Sequence, residues 1–162
     1  MARADLDAPD ITTIGLLLET HAGLTRELER RLERDCGLKV QWFEVLLRLA
    51  RSPDSRLRMS DLAAQATLTA SGLTRAVDRL EDAGFVAREA CPDDRRSTYA
   101  VLTPAGRRRI EKAVPIQLQH VRELVSGVLD PAEMEALSSA LRKLRDTLNP
   151  AAAQFSLCEN DD

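Results

Sequence analysis

The stretch from Ser60 to Thr103 constrains this chain most, because its apolar spacing, turn residues and charge change pattern several times within a short distance. Ser60 has a hydroxyl suited to capping a first short helix that carries Leu62, Ala63 and Ala66, and Thr67 to Thr69 then make a turn whose last residue can cap the next helix. In that second helix Leu73, Ala76, Val77, Leu80 and Ala83 recur at helical steps and form one buried stripe. Ser71, Arg75, Asp78 and Asp82 project from the opposite side. Gly84 stops the helix, since glycine adopts the left-handed backbone at a helix end without a steric penalty. FVAREA (85–90) and TYAVLT (98–103) are rich in β-formers, and the polar, proline-bearing CPDDRRS between them completes a hairpin pattern.

Helix, turn, helix and hairpin in that order describe a winged helix-turn-helix. The exposed start of the second helix holds only small or polar residues before its first arginine (Ala70, Ser71, Gly72, Thr74, Arg75), so it can enter a major groove where bulky apolar groups would be held away from base edges. Arg95 and Arg96 fall at the hairpin tip, within reach of phosphates or a narrow minor groove. Arg75 is favoured for DNA contact, with Arg79 behind it. The alternative for both is a solvated face paired with Asp78 and Asp82. For Ser71 and Thr74, DNA contact and local capping both stay open.

The run DDRRSTYAVLTPAG resembles the wing signature of the MarR family of bacterial transcription regulators, and TRAVDRLEDAGFVAR is similar to that family's recognition helix and its exit. The family's wing pattern falls here on Asp94, Arg96, Ala100, Leu102 and Thr103, with Ala100 standing where a valine is usual and thinning the packing beneath the wing. The resemblance spans roughly residues 11–148. It implies that Arg96 is the minor-groove arginine, that Asp94 orients it, and that an effector pocket lies between the helix layers and the DNA-reading unit. His21, Trp42 and Phe43 are the candidates to line that pocket, with core packing as the alternative for the two aromatics.

The flanking segments are helical. From Ile11, the positions Ile14, Leu17, Leu18, His21, Leu24, Leu28 and Leu32 keep to one face until Cys36 and Gly37. Leu38 to Ala50 is apolar on most sides and predicts a central helix, and the RLRM segment at 56–59 can add a third strand to the wing. Thr103-Pro104 opens a helix to about Gly127 with Ile110, Val114, Leu118, Val121, Val125 and Val128 along its seam, bent by Pro115. Asp130-Pro131-Ala132-Glu133 reads as a capping box that starts a last helix, where Met134, Leu137, Leu141, Leu144 and Leu148 form a coiled-coil-like seam.

The expected class is therefore mainly α with a small β-wing. A loose arm (1–10) precedes helical dimerisation segments (11–37 and 104–148), which flank the DNA-binding unit (38–103), and an acidic tail (149–162) follows. The outer helices carry more apolar edge than the reading unit can cover, and two half-sites about one helical turn, ~34 Å, apart are the usual requirement for specific binding. A homodimer on a palindromic stretch of double-stranded DNA follows, acting as a ligand-responsive regulator, most simply a repressor.

Composition argues against a sequence-blind nucleic-acid coat, because the net charge is −3 and aromatics make up only 3%. Between Ser71 and Lys112, nine Arg or Lys face seven acids, a surplus so small that geometry must carry the DNA assignment. The three cysteines (Cys36, Cys91, Cys158) are far apart, which favours a reducing cytoplasm over a disulfide framework or zinc cluster. MARADLDAPD lacks an apolar run, so neither a signal peptide nor a membrane span is expected. No Gly-rich phosphate loop, His-Glu-x-x-His or Gly-x-Ser-x-Gly is present, and neither an enzyme nor a bound cofactor or metal is expected. The alternatives are a protein-interaction module built on the winged helix, a metal sensor using His21, Cys36 and His120, or an oxidant sensor using Cys91.

Overall fold

The computed structural model describes residues 8–66, 68–91 and 97–150. Its first helix, α1 (Pro9–Cys36), starts with a proline in the first turn, where the missing N–H leaves no helical bond unmade. It ends at Gly37, whose φ of 59° is left-handed and whose N–H returns to the Glu33 carbonyl at 2.9 Å. Leu32 is the one buried residue of α1 among those described, whereas Ile11, Ile14, Leu16, Leu17 and Leu18 stay exposed. The apolar face expected of this helix is therefore covered at its C-terminal end, where Leu32 packs with Ala113, and left open at its N-terminal half among the described residues.

The central helix α2 (Val40–Arg51) begins two residues later than the sequence pattern suggests, because Lys39 is extended, and it buries Val45, Leu46 and Leu49. A tight turn at Pro53–Ser55 follows, then β1 (Arg56–Arg58), the third strand expected near 56–59. The chain passes from β1 directly into α3 (Met59–Gln65). Ser60 therefore does not cap this helix. It lies one residue inside, and its hydroxyl donates to Asp61 Oδ1 at 3.2 Å. Thr69 does cap α4 (Ala70–Asp82), accepting from the Gly72 N–H at 3.1 Å. Leu73, Ala76, Val77 and Leu80 are buried as their spacing predicts, but Ala83 is exposed because it sits past the last helical residue, just before Gly84 at φ 73°.

Strands β2 (Val86–Ala90) and β3 (Thr98–Leu102) pair antiparallel with β1 on the far side of β3, giving the sheet order β1-β3-β2. The register sets Val86 opposite Leu102, Arg88 opposite Ala100 and Leu57 opposite Ala100, so these residues share the face turned to the helices. The main core joins Leu46 and Leu49 of α2, Leu62 of α3, Leu73 and Val77 of α4, Ala100 of the sheet and Ile110 of the next helix. A second cluster, Leu32, Leu38 and Ala113, links the first helix to the fifth, with Trp42 and Phe43 packed against both clusters.

Thr103 fastens the sheet to the fifth helix. Its hydroxyl donates to the Gly84 carbonyl at 2.7 Å and accepts from the Gly106 N–H at 3.0 Å. Helix α5 (Pro104–Val121) runs through Pro115 and then widens into a π turn at Arg122–Ser126 instead of continuing as one α-helix to Gly127. Its seam also differs from the expected one. Gly106, Ile110, Ala113, Gln117 and His120 are buried, while Leu118 and Val128 remain 45% and 75% exposed. Two polar residues hold inward positions because they satisfy each other: the His120 ring contacts Gln117 Oε1 at 3.2 Å and Asp35 Oδ2 at 2.8 Å. Helix α6 (Pro131–Leu148) has the expected capping box, with both Asp130–Glu133 bonds at 2.9 Å, and buries none of its residues among those described.

Candidate nucleic-acid interface

Helix α4 presents two polar stripes outside its buried one. Thr74, Asp78 and Glu81 turn toward the wing, and Ser71 and Arg75 turn outward into solvent with Arg79. Asp78 and Glu81 are engaged by Arg88 of β2, whose guanidinium lies 2.6 Å from Asp78 Oδ1 and also bonds Glu81 Oε2. The Arg88 N–H bonds Glu81 Oε1 at 3.3 Å as well. Partial burial pulls the Arg88 pKa down, but the Asp78 and Glu81 carboxylates together hold it above the usual arginine value.

This pairing decides what the other arginines can do. Asp78 faces Arg88, and neither Asp78 nor Asp82 makes an ion pair with Arg75 or Arg79 among the described residues. Arg75 Nε instead donates to the Ser71 carbonyl at 3.2 Å, leaving its remaining N–H groups toward solvent. Thr74 donates to the Ala70 carbonyl at 3.0 Å, and the Ser71 hydroxyl lies 3.4 Å from that of Thr69. Ser71, Thr74, Arg75 and Arg79 are thus gathered on one exposed helix. Asp94, Arg95 and Arg96 lie outside the described residues.

Arg107 and Arg109 have structural duties. Arg107 donates to the Ala50 carbonyl at 3.2 Å and to the Ser55 hydroxyl, and Arg109 donates to the carbonyls of Cys36 and Gly37. Both satisfy carbonyls near helix C-termini that lack an intrahelical partner. Arg108 is exposed.

His21 is not brought together with Trp42 and Phe43. It lines an apolar hollow of about 520 Å³ between α1, the π turn and α6, walled by Leu17, Leu24, Val125, Leu137 and Leu141, whereas the two aromatics pack on the core clusters. The Cys36 thiol is pushed up in pKa by burial, which disfavours a reactive thiolate, and Cys91 is 3% exposed. Among the described residues no set of three His, Cys, Asp or Glu could hold a metal ion.

A model of the MarR family matches residues 37–97 of this sequence. The HTH-type transcriptional regulator YkoM of Bacillus subtilis is 32% identical over 114 residues, covering 70% of this chain and 71% of its own. The chain belongs to the MarR family of transcription regulators. Among solved members, Sco3205 of Streptomyces coelicolor, crystallised in complex with DNA, superposes with a TM-score of 0.82 at 36% identity over 90% of this chain and 94% of that one. BpsR of Bordetella bronchiseptica, whose DNA binding is regulated by 6-hydroxynicotinic acid, superposes at 0.74 with 26% identity over 83% and 99%. This MarR-family chain therefore carries the DNA-binding winged helix of a transcription regulator. No helix among the described residues is long and apolar enough to cross a membrane.

Arg88 escapes notice in the sequence because the Asp and Glu it joins sit on another element. One signal was available. In the strand Val86-Ala87-Arg88 the arginine shares the parity of the buried Val86, and a charge at an inward position calls for a partner.

Proposed function

We propose that this MarR-family regulator works in the cytoplasm as a two-fold homodimer on a palindromic operator, and that a small molecule loosens its grip. The observation that carries the dimer is the uncovered apolar surface at the two ends of the chain. Ile11, Ile14, Leu17 and Leu18 of α1 and Leu137, Leu141, Leu144 and Leu148 of α6 are all at least 37% exposed, and Leu17, Leu137 and Leu141 among them line the hollow that contains His21. A monomer leaving that much contiguous apolar surface in water would be unusual, and burying it against a second copy is the simplest remedy.

Two recognition helices held about one helical turn, ~34 Å, apart then fit successive major grooves. Ser71, Arg75 and Arg79 face the bases and flanking backbone of each half-site, and the wing arginines Arg95 and Arg96, with Asp94 orienting Arg96, reach the minor groove. The effect of 6-hydroxynicotinic acid on the related BpsR supports ligand control here. An effector lodged near His21, or beside Trp42 and Phe43, would alter the helix spacing and lose one half-site.

Footprinting on the DNA flanking this protein's own gene, together with sedimentation of the free protein, tests the reading. A protected palindrome and a dimer are expected. A monomer, or protection no better than that of random competitor, overturns it.

A further inference from the structure

The strand register gives the wing a second face, turned away from α4. Arg56 and Arg58 of β1 stand opposite Val101 and Tyr99 of β3, and Ala87 and Glu89 of β2 stand opposite the same two residues, so all six share the outer side of the sheet. Tyr99 is the centre of that face. The Arg56 guanidinium carbon lies 5.1 Å from its ring centroid and that of Arg58 lies 5.8 Å away, with Arg58 Nε donating to the phenol oxygen at 3.4 Å. Arg56 also pairs with Asp54 at 3.5 Å. Arg58 makes no ion pair among the described residues, and a guanidinium resting on an aromatic ring keeps its charge and most of its N–H groups for another partner.

The place of Arg58 on this face matters as much as its freedom. It is the last residue of β1, and its partner Tyr99 is only the second residue of β3, so it stands at the end of the sheet nearer the hairpin tip. Its pKa is held above the usual arginine value first by the hydrogen bond with Tyr99 and then by the charges of Tyr99 and of Cys91, which follows β2 on the tip side. A wing that enters a minor groove is bordered by two sugar-phosphate strands. One separates it from the major groove that holds α4, and the other runs along its far side. The face turned from α4 looks toward that far strand.

We propose that Arg58 donates to a backbone phosphate on the far border of the minor groove entered by the wing, with the Tyr99 ring as the platform that holds it there. Tyr99 is thus a positioning residue that acts through Arg58. Glu89 lies on the same face but two strands across, roughly 10 Å away, so it opposes a phosphate from the other edge of the sheet without sharing the contact. The assignment rests on the reading that α4 and the wing enter neighbouring grooves of duplex DNA, and it adds to that reading a contact that fixes register without reading sequence.

The test uses the full chain and a labelled duplex taken from the DNA flanking its gene, with affinities measured across a salt series and phosphates mapped by ethylation interference. Arg58→Gln is expected to lower the log–log salt slope by about 0.9 and to weaken binding roughly ten-fold at ~0.1 M salt, leaving base preference unchanged. Arg58→Lys keeps the charge and so keeps the slope. Ethylation should weaken the wild-type protein at one phosphate per half-site that no longer matters to Arg58→Gln. That phosphate is expected on the minor-groove border away from the bases at which Arg75→Ala relaxes preference. Tyr99→Leu should weaken binding in the wild-type background and add nothing in Arg58→Gln, whereas Tyr99→Phe, which keeps the ring, should bind as wild type does. Additive losses would remove Tyr99 from its role. An unchanged slope in Arg58→Gln, at wild-type melting temperature, overturns the proposal and turns this face over to a protein partner. A lost phosphate on the strand between the two grooves overturns it as well. Failure of the wild-type protein to prefer this duplex over random DNA would strike the underlying reading, and it is distinguishable because it appears before any substitution is made.

Discussion

Arg88 Nη2 on β2 lies 2.6 Å from Asp78 Oδ1 on α4, so the wing is tied to this helix by charge as well as by the core beneath it. Side chains of this pair are 27% and 50% exposed, which keeps its worth to overall folding small, ~0–1 kcal/mol. In the proposed function its value lies in fixing the angle between α4 and the wing, which then meet DNA together. Arg88→Gln is expected to leave the urea midpoint nearly unchanged while weakening binding to the flanking DNA by roughly ten-fold, about 1.4 kcal/mol. Denaturation and fluorescence anisotropy on the same preparation check both halves, and equal loss in the two would make the pair a stability element only.

Arg75 is the cation on α4 best placed for a base edge, because neither Asp78 nor Asp82 holds it in an ion pair among the described residues and its Nε is anchored at 3.2 Å to the Ser71 carbonyl. Arg75→Ala should cost ~1 to 3 kcal/mol of binding and relax the preference at one base position. Selection from a randomised duplex pool reads that preference directly. A uniform loss at all positions would reassign Arg75 to phosphate.

Much of this arrangement is legible in the sequence wherever one element suffices to define it. The stripe Leu73, Ala76, Val77 and Leu80, the Thr69 and Thr103 caps and the Asp130–Glu133 box all depend on neighbours a few residues away. The seam of α5 does not, because His120 is stabilised at its inward position by Asp35, a partner 85 residues distant. Ser60 misleads for a related reason. Its cap role depends on where β1 ends, and pairing of Arg58 with Tyr99 carries the strand up to the helix. The exposed residues of α4 are visible in the sequence, whereas Arg88 joins them only once the sheet register is known.

Gly106 permits a close approach of α5 to the start of β2. A Cβ built there would meet the Phe85 carbonyl oxygen at 2.1 Å and Leu102 Cδ1 at 2.8 Å, and the backbone oxygen cannot rotate away as a side chain could. Gly106→Ala should destabilise the protein by ~1 to 3 kcal/mol through overpacking, despite alanine's better helix propensity. Thermal melting measures this, and a variant as stable as wild type would mean that α5 shifts freely against the sheet.

Two acids on α1 should make the fold sensitive to low pH. Hydrogen bonds from Arg30 and then Arg31 bring Glu27 from its ordinary 4.5 down to about 2, and Asp35 falls from 3.8 to about 2 through Arg34 and then His120. Folded-state values below the unfolded ones mean that the unfolded chain binds protons first as pH drops. The contribution is complete above about pH 4.5 and is lost as pH falls toward 2. The urea midpoint should therefore decline through this window, and Glu27→Gln with Asp35→Asn should flatten the decline. An unaltered pH profile in the double variant would show that these pairs are screened to insignificance.

In the proposed dimer, Leu141 is the residue whose change should separate assembly from folding. It is 42% exposed on α6, a helix with no buried residue among those described, and it lines the hollow opposite Leu17 and Leu24. Removing its apolar contact costs the monomer little, yet a charge at the centre of a two-fold interface would be buried twice, once from each copy. Leu141→Asp should thus preserve the helical circular-dichroism spectrum while shifting sedimentation from dimer to monomer. Operator binding should fall at least roughly a hundred-fold, since one winged helix can hold only a half-site. If the variant stays dimeric and binds normally, the α6 leucines are not the seam, and the exposed leucines and isoleucines of α1 become the next surface to change.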